Sequence, residues 1–255
     1  MKSWIKTLSC SVALAIAFTT TTLAQIASDN AGNYSGTWTN ESNGGTGFGA
    51  WVLTADAGTG SAGFFTGDPA SASIAGMDTV SFGLYANPSD SGAYVNADRT
   101  FTGLQVGDAF SFQWGINFDS GASGNKGFNL YSGEFTTNQV QILNVNNAGT
   151  SDITLNGENI GFGYGTNVMI WSFSLVSSNL LRITANDRDG DGSLERFISV
   201  TAAPDAFRLY ASNLQAGDSA QPYFNDFLIE TGAPPATITN TVTFSVDMSV
   251  QIAAG

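Results

Sequence analysis

The sequence predicts an all-β protein, an antiparallel β-sandwich of the jelly-roll kind, on three observations. Apolar residues recur at every second position along most of the chain. Turn-forming clusters rich in Gly, Asn, Asp and Ser punctuate these runs at short intervals. No stretch of ten or more residues carries the 3.6-residue period that an α/β fold needs between its strands. The clearest run is Phe110 to Phe118, in which Phe110, Phe112, Trp114, Ile116 and Phe118 are apolar while Ser111, Gln113, Gly115 and Asn117 between them are not. A strand puts those five side chains on one face, whereas a helix scatters them.

Taken in order, the first element is a leader. Lys2 and Lys6 precede an apolar run from Leu8 to Phe18, and Thr22-Leu23-Ala24 offers small residues at the positions a signal peptidase reads. We expect residues 1–24 to be a signal peptide, cut after Ala24, and the protein to be secreted to the extracellular space or cell surface. No other stretch approaches the roughly 18 apolar residues of a membrane span, so membrane insertion is not expected. The one cysteine, Cys10, leaves with the leader, so the mature chain is expected to rely on a packed core without disulfides.

Residues 25–230 are expected to form one sandwich domain. Its alternating pairs and triplets are Val80, Phe82 and Leu84; Phe128 and Leu130; Met169, Trp171, Phe173 and Leu175; Leu181 and Ile183; Ile198 and Val200; Phe207 and Leu209; and Tyr223, Phe227 and Ile229. The turns expected between them are Asn87 to Asp90, Ser120 to Asn125, Asn146 to Gly149 and Asp187 to Gly192. Residues 231–241 contain Pro234-Pro235 and read as a linker. Residues 242–255, with Val242, Phe244, Val246 and Met248 alternating, read as the first strand of a further β module.

Charge and composition exclude several chemistries. The chain has 8 Lys+Arg against 21 Asp+Glu; without Lys2 and Lys6, six cations face 21 anions, a net charge of −15. Nucleic acid and anionic membrane surfaces are poor partners for such a chain. There is no histidine, which removes histidine-based triads and general bases and most zinc sites.

Two stretches carry a family resemblance. Ser28 to Tyr34, followed by Trp38 and by Asn43-Gly-Gly-Thr-Gly-Phe-Gly-Ala-Trp51, resembles the opening of secreted jelly-roll modules of environmental bacteria, similar to the concanavalin A-like lectin/glucanase class. Phe207 to Asn213 with Tyr223 to Asp226 resembles their closing strands, and Val242 to Met248 resembles the first strand of an immunoglobulin-like or starch-binding-like module. The resemblance implies a setting that faces polysaccharide or a cell-surface glycan. The paired-acid motif of the related glucanases, Glu-x-Asp-x-x-Glu or Glu-x-Asp-x-Glu, does not occur.

Candidate sites follow. Asp187, Asp189 and Asp191 place three carboxylates at alternate positions before Gly192, as in the first half of a calcium loop, although the twelfth position holds Ile198, strands rather than helices flank it, and a plain Asp/Gly hairpin turn is the competing reading. Asp29, Asn30, Asn225 and Asp226 could share an ion if the first and last strands pair; turn and capping roles are the alternative. Trp38, Trp51, Tyr34 and Tyr94 are candidate sugar-stacking rings, with Asn43 and Asn40 as hydroxyl partners in a glycine-rich loop. The competing reading places Trp38 and Trp51 in the core, where Trp114 and Trp171 are also expected. Glu134, Glu158, Glu195, Asp152 and Asp108 lie scattered in turns, and no pair of them marks a glycosidase. The expected function is therefore non-catalytic carbohydrate binding, with an adhesion spacer and a hydrolase as alternatives.

Overall fold

A computed structural model describes residues 24–186 and 193–232. The predicted leader up to Leu23, the Asp187 to Gly192 stretch, the linker from Ala233 onward and the predicted strand at Val242 lie outside the described residues. Among the described residues no helix is long and apolar enough to cross a membrane.

The fold is two antiparallel sheets packed face to face. With strands numbered in chain order, one sheet runs β13 (Leu194–Ser199), β12 (Leu180–Ala185), β11 (Met169–Ser177), β6 (Asp108–Gly115), β15 (Tyr223–Thr231), β4 (Ser81–Asn87) and β3 (Ser61–Gly67). An eighth strand, β1 (Ala24–Asp29), pairs with the second half of β15, so the first and last described strands are neighbours. The other sheet runs β10 (Glu158–Asn159), β9 (Ile153–Leu155), β8 (Val140–Ala148), β7 (Asn125–Ser132), β14 (Ala206–Ser212), β5 (Tyr94–Thr100) and β2 (Val52–Asp56).

Alternation explains the core. Phe110, Phe112 and Trp114 of β6, Trp171 and Phe173 of β11, Phe128 of β7 and Phe207 of β14 point between the sheets and are fully buried. Their rings meet edge-on and offset, as between Phe112 and Phe128, whose centroids are 4.8 Å apart at 86°.

Three expectations are corrected. Strand β6 ends at Gly115, so Ile116 is still buried but Phe118 is 45% exposed. Asn146 and Asn147 do not open a turn; both belong to β8, where Asn147 faces inward and its side chain accepts from Ser120 Oγ at 2.7 Å. In β15 the inward residues are Phe224, Phe227 and Ile229, while Tyr223 sits in a separate small cluster with Ala72 and Ile74. A bulge between Asn225 and Leu228, with Asp226 at φ 51, inserts the extra residue that switches the faces.

Candidate functional site

Of the predicted sugar contacts, Trp38, Trp51 and Tyr34 are buried side by side, and the exposed Asn43 bonds down to the buried Arg99. Asp29 and Arg99, both with fully buried side chains, form an ion pair. Asp29 also accepts from the Tyr34 hydroxyl at 2.6 Å, and Trp51 Nε1 donates to that same hydroxyl at 2.9 Å. Arg99 donates to Gly49 O at 2.7 Å and to the Asn43 side-chain oxygen at 2.5 Å, with its guanidinium over the Phe48 and Trp51 rings. Trp38 packs edge-on against Trp51 at 5.1 Å and close to Phe82 at 4.7 Å. Trp51 is wholly buried, Trp38 and Tyr34 nearly so. These residues therefore staple β1 to β5 across the core, and no pyranose reaches their rings. The expectation that they stack sugar is corrected: a buried ion pair needs every lone pair and proton satisfied, and Tyr34, Asn43 and Trp51 supply that shell. The glycine run serves the same end. A Cβ on Gly45 or Gly47 would lie 2.5 Å from a β1 carbonyl, so the loop presses its backbone on β1 rather than on a ligand.

The Asp29, Asn30, Asn225 and Asp226 group does assemble, since β1 and β15 pair. Asn30 caps the short 3-10 turn Ala31–Asn33 and donates to Asp226 and, at 3.1 Å, to Asp78. Asn225 accepts from the Ala31 amide at 2.9 Å and donates to Val80 O at 3.2 Å. Burial, assisted by the nearby Asp78 charge, raises the Asp226 carboxyl above the usual carboxylate range, against the lowering effect of its Asn30 bond.

Among the predicted rings, Tyr94 reaches a surface, 39% exposed on the outer face of the seven-stranded sheet. That face holds a site the sequence reading missed. Two rows of outward side chains cross it in register: Val52, Asp98, Arg208, Asn129 and Asn144, and beside them Thr54, Asn96, Tyr210, Gly127, Asn146 and Thr154. Arg208 grips Asp98 with two bonds, at 2.6 and 2.7 Å. Asn144 Nδ2 donates to Asn129 Oδ1 at 2.7 Å and to the Tyr210 hydroxyl at 2.8 Å, and Asn129 donates to the Tyr131 hydroxyl at 2.9 Å. The Tyr210 hydroxyl in turn donates to Val145 O at 3.1 Å.

Local structure places each piece. Tyr210 lies across β7 because Gly127 leaves room: a Cβ there would stand 2.9 Å from the Tyr210 hydroxyl and 2.0 Å from Val145 O. The turn after β7 is caught by Asp205, whose carboxylate accepts the Gly133 and Glu134 amides at 2.9 and 3.0 Å. This folds Phe135 back so that its ring meets Tyr131 at 5.2 Å, and both rings flank the Arg208 guanidinium.

The chemistry of the face is neutral and polar. Burial raises the Tyr131 and Tyr210 phenols, so both remain protonated donors at any ordinary pH. Asp98 holds Arg208 in its charged form and raises it further. Asp98 is committed to Arg208 and Asp205 to backbone amides, so these two carboxylates are not a free acid pair for glycoside cleavage. One sequence signal points here: asparagine is depleted in strands, yet Asn129, Asn144 and Asn146 occupy outward positions on adjacent strands.

Asp187, Asp189 and Asp191 lie outside the described residues, in the connection between the antiparallel partners β12 and β13. Among the described residues no group of three or more His, Cys, Asp or Glu side chains is arranged to hold a metal ion.

No protein-family model matches this sequence, and no curated protein is significantly similar to it. Several solved structures align with it at low identity. The catalytic domain of an endo-1,3-beta-glucanase (laminarinase) from Thermotoga petrophila RKU-1 is 10% identical, covering 82% of this chain and 98% of its own at a TM-score of 0.38. The carbohydrate recognition domain of Emp47p is 10% identical, covering 83% and 97% at 0.41. The cellulose induced protein Cip1 is 9% identical, covering 72% and 93% at 0.40. The fold assignment itself stands on the strand pairing: two antiparallel sheets closed into a sandwich, with the first and last strands side by side.

Proposed function

We propose that this chain is a secreted, non-catalytic carbohydrate-binding module that holds a neutral polysaccharide or cell-surface glycan on the outer face of its seven-stranded sheet. The observation that carries the reading is the linked array of Asn129, Asn144, Tyr131, Tyr210 and the Asp98–Arg208 pair, flanked by the Phe135 ring. A sheet face exposed only to solvent needs no such network. Amides and phenols in fixed orientation match the alternating donors and acceptors of sugar hydroxyls, and an aromatic ring matches the apolar face of a pyranose.

Affinity electrophoresis through gels containing soluble polysaccharides tests it. Asn144→Ala is expected to weaken retardation about ten-fold, as loss of one oriented hydrogen-bonding hub does. Trp38→Phe is expected to bind as wild type, because Trp38 lies in the core. No retardation by any of a broad polysaccharide panel would favour the spacer alternative, and release of reducing sugar would favour a hydrolase. Calcium belongs to the proposal through the alternate spacing of Asp187, Asp189 and Asp191. Adding calcium after chelation is expected to raise the melting midpoint, and an unchanged midpoint removes the ion from the account.

A further inference from the structure

A second aromatic surface lies on the opposite sheet. In β3, Phe64 turns inward onto Trp38, with ring centroids 5.4 Å apart, and the adjacent Phe65 turns outward. The register pairs Phe65 with Gly83 and Gly63 with Tyr85. Each ring lies down across the neighbouring strand into the space its glycine leaves. A Cβ on Gly83 would meet Phe65 Cζ at 2.1 Å, and one on Gly63 would meet the Tyr85 hydroxyl at 2.5 Å. The two rings are 6.3 Å apart at 43°, both half-buried, and Tyr223 stands edge-on beneath Phe65 at 5.6 Å.

Together Phe65, Tyr85 and Tyr223 line a groove of about 300 Å³ with Asp68, Ser71 and Gln221. Ser71 Oγ and the Tyr223 hydroxyl are 3.2 Å apart. Packing accounts for one side of this arrangement, since Phe65 covers the small cluster of Ala72, Ile74 and Tyr223. It does not account for Tyr85, which joins neither that cluster nor the main core.

We propose that this groove is a second glycan site, taking one neutral pyranose ring. The proposal rests on the carbohydrate reading above and adds a site on the other face of the sandwich. Two reclining rings offer an apolar floor, while the Asp68 carboxylate, the Gln221 amide and the exposed Ser71 hydroxyl at the rim offer hydrogen-bond partners to sugar hydroxyls. Charge selects the class of sugar: Asp68 is the charged residue of the lining and no cation joins it, so uronic acid or sulfated units are repelled. With a site on each face, one chain bridges two glycan strands or engages one strand twice, and avidity rises accordingly.

The test is affinity electrophoresis of the full chain in gels of laminarin, hydroxyethyl cellulose and galactomannan, with alginate as the anionic comparison. Tyr85→Ala and Phe65→Leu are each expected to weaken retardation about ten-fold in the neutral gel that binds wild type, as loss of an aromatic anchor does. Phe65→Leu keeps an apolar cover on the small cluster, and Tyr85→Ala removes a ring outside it, so melting curves should stay near wild type. Migration of both variants like wild type overturns the proposal. If Asn144→Ala loses binding while these two retain it, the glycan reading stands and the second site falls. If no gel retards wild type, both fall. Retardation by alginate equal to that by the neutral gels overturns the charge selection.

Discussion

At the scale of single residues, Asp29 and Arg99 show why a tryptophan beside a glycine run misleads. The pattern Asn43 to Trp51 reads as a ligand loop, but its polar groups complete the shell of a buried ion pair, and nothing local in the sequence announces a partner some fifty residues away, in β5. Asp29→Ala leaves the Arg99 guanidinium buried without its counter-charge. It is expected to cost about 3–5 kcal/mol in a urea melt, the range for breaking one side of a buried pair; a loss below about 1 kcal/mol contradicts the staple. Asp226 gives a pH signature. Burial first, then the Asp78 charge, hold its carboxyl above the ordinary range. The folded chain thus keeps a proton that the unfolded chain releases, so stability falls as pH rises through that window and levels off above it. Asp226→Asn keeps an acceptor for Asn30 and tolerates the left-handed backbone. Thermal melts should coincide near about pH 3, where both side chains are neutral, and show the variant more stable at neutral pH.

At the scale of elements, alternation located most strands because most inward positions are apolar: β6, β7, β11, β12 and β14 all lie where Phe110, Phe128, Trp171, Leu181 and Phe207 place them. The misplacements have physical causes. A bulge at Asp226 reverses the faces of β15, and an inward Asn147 bonded to Ser120 imitates a turn residue. The candidate site was less legible because it uses the polar halves of the same strands, which look like ordinary solvated positions until the register lines them up. Glycine inside a strand was the available clue. Gly127, Gly63 and Gly83 each make room for an aromatic ring from the next strand, Tyr210, Tyr85 and Phe65 respectively. Gly127→Ala puts a Cβ against the Val145 carbonyl as well as the Tyr210 hydroxyl. It is expected to cost about 1–3 kcal/mol in chemical denaturation. It should also weaken glycan retardation more than Asn96→Ala, which clears no ring.

At the scale of the whole molecule, charge and burial point the same way. The chain is strongly acidic, and two of its few cations, Lys126 and Arg99, are interior: the Lys126 ammonium donates to the carbonyls of Phe118 and Ala220 at 2.6 and 2.7 Å. What remains on the seven-stranded face is a compensated ion pair among neutral amides and phenols. Glycan binding should therefore vary little between low and high salt and stay level across neutral and mildly alkaline pH, since the raised phenols keep their protons. The most direct measurement is a titration of the isotope-labelled chain with a soluble neutral oligosaccharide, followed by amide nuclear magnetic resonance. Binding on the outer face predicts the largest shifts at the side-chain amides of Asn129, Asn144 and Asn146 and the backbone of β7, β8 and β14. Shifts that spare those strands, or none at saturating sugar, contradict the account.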